Sequence, residues 1–124
     1  MTLSDEIWKV IVEHHIKYDN IEYTNKEKQI VEQNTLIIPF DGGIFIVKDN
    51  EFDLFVLPEK RGKWRIKHEV NKLLAYLAKT YDVAKIKINS KNKVSLRLAL
   101  FFGFKEVKIV NDIIELEKKL WAES

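Results

Sequence analysis

Cysteine is absent from the 124 residues, which excludes a disulfide framework, a thiolate nucleophile and a zinc–thiolate site. Charge of one sign is absent too. Twenty-one basic residues against nineteen acidic ones leave a formal net charge of +2, too little to argue for nucleic acid by itself. No apolar run reaches membrane-spanning length, and the N-terminus MTLSDEIWKV lacks the basic-then-apolar plan of a signal peptide. There is no internal repeat and no low-complexity segment. What remains is the balance of a soluble globular protein, 46% hydrophobic and 32% charged. The length suits one domain over residues 1–124, and the expected location is cytoplasmic.

The chain is organised around Phe52–Lys79, FDLFVLPEKRGKWRIKHEVNKLLAYLAK. Phe52–Leu57 is a half-buried strand by composition, and Pro58 stops it because proline has no N–H for a ladder. A helix follows over Lys63–Lys79, with Ile66, Val70, Leu73, Leu74 and Leu77 on one apolar stripe. A strand, a short basic turn and a helix aim backbone N–H groups and a positive helix end at an anion. Lys60, Arg61, Lys63 and Arg65 add formal charge at the same place.

Before this stretch, Ser4–Tyr18 reads as an amphipathic helix whose inner face carries Leu3, Ile7, Val10, Ile11 and His14. His14 and His15 are neighbours on a helix and point apart, so they do not chelate one ion as an i, i+4 pair would. Asn20–Gln33 is polar, with a short helix around Lys26–Val31. Leu36–Ile38 and Ile44–Val47 are strands joined through Pro39-Phe40-Asp41-Gly42-Gly43, and Asp49-Asn50 turns into the central strand. Three strands in a meander followed by two β–α units make an α+β or mixed α/β plan. Val83–Ile88 is the next strand, expected parallel to Phe52–Leu57 because a helix connects them. Ser90 or Asn92 caps a helix whose buried stripe is expected to be Val94, Leu98 and Phe101 or Phe102. Gly103 stops it. Phe104–Ile109 and Ile113–Glu117 form a last hairpin, and Trp121 in the tail is expected to pack back on the body.

Two stretches together resemble the GCN5-related N-acetyltransferase (GNAT) family. The family pattern V-x-P-x-x-R-G-x-G-x-G is matched at Val56, Pro58, Arg61 and Gly62, and N-x-x-A-x-x-x-Y-x-x-x-G-F at Asn92, Gly103 and Phe104. The resemblance covers roughly Thr35 to Leu116. It implies an acyl-CoA N-acyltransferase fold, a central mixed sheet with helices on both faces. It also implies acetyl-CoA as cofactor, with the pantetheine arm on the backbone of Phe55, Val56 and Leu57. The phosphates are then expected at Arg61, Gly62, Lys63, Trp64 and Arg65, and Asn92 is expected to face the cofactor.

The departures are as informative. Trp64 and Ile66 replace the two phosphate-loop glycines, and Ala99 stands where the family's tyrosine protonates the leaving thiolate. The candidates for a base are Glu51 and Asp53, near the start of the central strand. Two functions follow. One is transfer of an acetyl group from acetyl-CoA to an amine, weakened by the substitutions. The other is a GNAT-fold protein without catalysis that serves in protein binding. The short length, the missing first strand and the turn LPEKRGKW resemble the acetyltransferase-like proteins of tailed bacteriophages, some of which are assigned to head assembly or the virion interior. That origin would place the chain in the host cytoplasm or the virion, as a structural protein or a homo-oligomer.

Overall fold

The computed structural model describes residues 3–19, 24–61 and 65–121. The chain divides into two compact units, Met1–Ile66 and Lys67–Ser124.

In the first unit, helix α1 (Asp5–Asp19) precedes helix α2 (Asn25–Asn34) and three strands, β1 (Leu36–Phe40), β2 (Gly43–Lys48) and β3 (Glu51–Val56). The first helix covers the expected segment almost residue for residue. The polar segment after it is helical because Thr24 caps it. The Thr24 side chain accepts from Lys26 N–H at 3.3 Å while Glu27 reaches back to Thr24 N–H at 2.8 Å, a reciprocal capping box. The three strands form an antiparallel meander, with Ile37 opposite Ile46 and Ile44 opposite Phe55.

Strand periodicity sorts the side chains of the meander onto two faces. Ile37, Ile44 and Phe55 pack with Leu3, Ile7, Val10 and Ile11 of the N-terminal helix region, beneath Trp8, Val31, Ile46 and Leu57. The opposite face carries Phe40, Phe45 and Phe52. Phe45 sits between the other two rings, at 5.1 Å and 5.9 Å between centroids. Gly43 is required at the strand's start. A Cβ there would stand 2.4 Å from the Phe55 carbonyl oxygen and 2.7 Å from the Phe40 ring.

In the second unit, helix α3 (Arg65–Ala78, which begins within the first unit's last two residues) is followed by strand β4 (Val83–Asn89) and helix α4 (Lys93–Phe101). Strands β5 (Lys105–Val110) and β6 (Ile113–Lys119) complete it. Strand β6 pairs antiparallel with both β4 and β5. The stripe expected on α3 is buried at Val70, Leu73, Leu74 and Leu77, with Ile66 half-buried. One face of these strands buries Ala84, Ile86, Ile114 and Leu116. The other carries Lys–Glu pairs across strands, Lys87 and Lys108 each to Glu115 and Lys85 to Glu117, at 3.7–3.8 Å. Such exposed pairs contribute about 0–1 kcal/mol each, so they mark a solvated face and little more.

Two expectations are corrected here. On α4 the buried residues are Leu96 and Ala99, with Phe102 at the C-cap, whereas Val94, Leu98 and Phe101 face outward. Leu96 and Ala99, three residues apart, lie on one face of the helix, and that is the face the fold covers. Trp121 is 59% exposed and does not pack back on the body. No helix among the described residues is long and apolar enough to cross a membrane.

Candidate functional site

The register of β3 decides which of its backbone groups are offered. Leu57 N–H donates to the Gly42 carbonyl at 2.8 Å, so Leu57 and every second residue before it turn toward β2. Phe55 therefore spends its groups on Ile44, and of the expected trio only Val56 projects its N–H and carbonyl to the other edge. That carbonyl accepts from Arg61 Nε at 3.1 Å. A carbonyl has two lone pairs, so the bond narrows an incoming amide's access without closing it.

Beyond the strand, Pro58–Lys60 forms a single 3-10 turn. Lys60 N–H donates to Leu57 at 2.9 Å and Arg61 N–H to Pro58 at 3.3 Å, so the turn keeps these two donors for itself. Lys60's stem lies over Gly42, whose φ of +97° is the left-handed region that glycine takes without strain. The turn thus holds two cations at the C-terminal end of β3. The α3 helix then begins at Arg65, and its first N–H groups have no partner within the helix by geometry. Ile66 sits in that first turn. Gly62, Lys63 and Trp64, all expected at the phosphates, lie outside the described residues, as does the side chain of Arg65. Backbone groups of a strand end, two cations and a helix N-terminus fit a ligand that carries amides and phosphates.

Asn92 is the buried polar residue among the described residues of the second unit, 6% exposed. Its Oδ1 accepts from Ser95 N–H at 3.2 Å, and its carbonyl accepts from Leu96 N–H at 3.1 Å. The N-cap role explains the residue completely at the local level. Gly103, at φ +90°, ends the same helix, with Phe104 N–H returning to the Ala99 carbonyl at 3.0 Å. Ala99 is buried at 5% exposure, so a tyrosine there has no open space in this packing.

Glu51 and Asp53 share the α1 face of β3 with Phe55, because cross-strand partners and alternate residues lie on one side. Glu51 starts the strand and lies roughly 17 Å from Val56 at about 3.4 Å per residue, and Asp53 roughly 10 Å. The same face holds a group that sequence reasoning set aside. His14 stacks edge-on to Phe55 at 5.4 Å and meets Tyr18 at 5.0 Å, and His15 stands 6.2 Å from Phe55. The signal was the i, i+4 spacing of His14 and Tyr18, which the question of metal chelation obscured. Among the described residues no three His, Cys, Asp or Glu side chains come together as a metal site.

No protein-family model matches the sequence. No curated protein resembles it significantly in sequence either. Solved structures do resemble the chain in shape. A spermidine N-acetyltransferase from Vibrio cholerae, solved with CoA and spermine, superposes with a TM-score of 0.66 at 16% identity, covering 97% of this chain and 94% of its own. The ribosomal-protein-S18-alanine N-acetyltransferase of Escherichia coli gives 0.65 at 12% identity over 100% and 94%. A Salmonella typhimurium protein solved with its cofactor acetyl-CoA gives 0.64 at 14% over 100% and 94%. At such identities the likeness speaks for architecture. The chain has the mixed α/β acyl-CoA N-acyltransferase fold of the GNAT enzymes.

Proposed function

We propose that the chain is a GNAT-type N-acetyltransferase, using acetyl-CoA and an amine acceptor, with slow turnover. The observation that carries this reading is the end of β3, where Val56 turns its backbone away from β2 and its carbonyl accepts from Arg61, with the α3 N-terminus four residues further along the chain. The fold supports it, and so do the amine acceptors named for neighbours of that fold, spermidine and the S18 alanine. When bound, acetyl-CoA supplies an acyl group activated as a thioester. Val56 would hold the amides of its arm. Lys60, Arg61, Lys63 and the first α3 N–H groups would hold its phosphates. In the transfer the acceptor's nitrogen forms the new C–N bond as the C–S bond breaks. One proton leaves the amine and one must reach the thiolate. Asp53 or Glu51 takes the first, directly or through water. Ala99 cannot give the second, and a missing acid forfeits roughly 10²–10⁴ in rate, so turnover is slow.

The second reading is a protein-binding GNAT-fold component, of the short type found in tailed bacteriophages and used there in head assembly or the virion. The observation favouring it is the outward apolar row on α4. Either reading goes with the cytoplasm or a virion rather than a membrane.

Thiol release with acetyl-CoA over a panel of amines decides between them. Transfer predicts slow release that Asp53→Asn or Glu51→Gln reduces further, and Trp64→Gly tightens binding of acetyl-CoA. No release and no acetyl-CoA binding, in the unmodified chain and in Trp64→Gly alike, rejects the enzyme.

A further inference from the structure

Helix α4 has two apolar faces and only one is covered. Leu96 and Ala99 are buried, whereas Val94 is 75% exposed, Leu98 37% and Phe101 66%. Positions 94, 98 and 101 follow the i, i+4, i+7 spacing of a stripe made to meet another helix. Isolated exposed hydrophobics are ordinary on a protein surface. A row of three on one short helix is not, because exposed helix positions otherwise favour charged and polar side chains.

The border of the stripe has one sign. Lys93 and Arg97 are exposed on the flank of the row, and Lys67 Nζ lies 5.5 Å from the centroid of the Phe101 ring. No acidic residue occurs anywhere between Asp82 and Glu106, while six basic residues do: Lys85, Lys87, Lys91, Lys93, Arg97 and Lys105. Lys85 and Lys87 are matched by Glu117 and Glu115 on the strands, which leaves the charge excess around the helix. A second copy of this face is a poor occupant, since a two-fold helix pair would bring Lys93 and Arg97 against their own equivalents. An anionic bilayer is a poor one as well, because three side chains within about two turns insert little apolar area.

We infer that the outer face of α4 docks an acidic amphipathic helix of a partner protein, with Val94, Leu98 and Phe101 taking its apolar row and Lys93, Arg97 and Lys67 its carboxylates. In such a contact the apolar anchors supply affinity and the charged border supplies orientation. It involves neither β3 nor the basic turn, and stands whether or not acetyl transfer occurs.

The test uses the full chain and two synthetic amphipathic helices with the same leucine row, one flanked by glutamates and one by lysines. Fluorescence anisotropy should show the glutamate peptide binding at least about tenfold more tightly than the lysine peptide. Phe101→Asp should abolish that binding, and Lys93→Glu with Arg97→Glu should reverse the preference. Circular dichroism should show both variants folded, as their exposure predicts. Equal binding of the two peptides, or no binding of either, overturns the inference. So does a concentration-dependent dimer lost in Phe101→Asp, or capture by phosphatidylserine vesicles without peptide binding.

Discussion

Helices α1 and α4 carry similar apolar periodicity and use it in opposite ways. The first buries Ile7, Val10 and Ile11 against the meander and exposes Lys9, Glu13 and Lys17. The last buries Leu96 and Ala99 and exposes Val94, Leu98 and Phe101. The difference teaches that an apolar stripe shows a helix's periodicity and leaves open which face the fold covers. On α1 there is one stripe, so the question does not arise. On α4 there are two, and packing rather than periodicity decides between them.

Substitutions on the two helices should break the symmetry. Ile11→Ala should cost about 2–5 kcal/mol in urea unfolding, since Ile11 is 1% exposed and leaves a cavity in a packed cluster. Val94→Ala should stay within about 0.5 kcal/mol of the parent. A comparable cost at Val94 would mean that the face is covered after all. Gly43→Ala comes next. Its Cβ would be forced on the Phe55 carbonyl, and overpacking of this kind costs roughly 1–3 kcal/mol. A neutral result would show that the strand end can shift, and that the placement of Val56 is soft.

Asn92 sharpens the same contrast, because it is the buried side chain that caps α4. Asn92→Ala should lose about 0.5–2 kcal/mol. Asn92→Ser keeps a capping oxygen and should recover most of it in thermal denaturation. If Asn92 also meets the cofactor, the serine variant should still bind acetyl-CoA less tightly. The smallest effect lies at the α2 cap. The hydrogen bonds from Thr24 hold the Glu27 carboxyl below its ordinary value. A depressed carboxylate pKa contributes stability above its unfolded value, near 4.5, and loses it as pH falls through the folded value. Glu27→Gln should therefore remove a slight acid-side decline in melting temperature by lowering the neutral plateau slightly, leaving the acid end unchanged.

Much of the fold was legible. Strand β3 ended before Pro58 as expected, but β1 runs on through Pro39 and Phe40 and β2 starts at Gly43, inside the expected connection. The α3 stripe was legible except at half-buried Ile66, because one apolar face stands against a charged one. The site was legible in part. The resemblance pointed to the backbone of Phe55–Leu57 without its parity, since the hydrogen-bond phase of β3 comes from the Leu57–Gly42 bond and not from side-chain type. The His14–Tyr18–Phe55 cluster stayed hidden for a related reason. It depends on which strand residue a helix covers, a contact across more than thirty residues of chain that no local pattern carries.

The end of β3 with its basic turn is the centre of the account, and calorimetric titration with acetyl-CoA tests it most directly. The parent chain should bind with measurable heat, and replacing Arg61 and Lys63 together by alanine should weaken binding by at least about tenfold, as the loss of charge-assisted contacts implies. Unchanged affinity in the double variant, or no binding by the parent, would contradict the placement of the cofactor at this end of the strand.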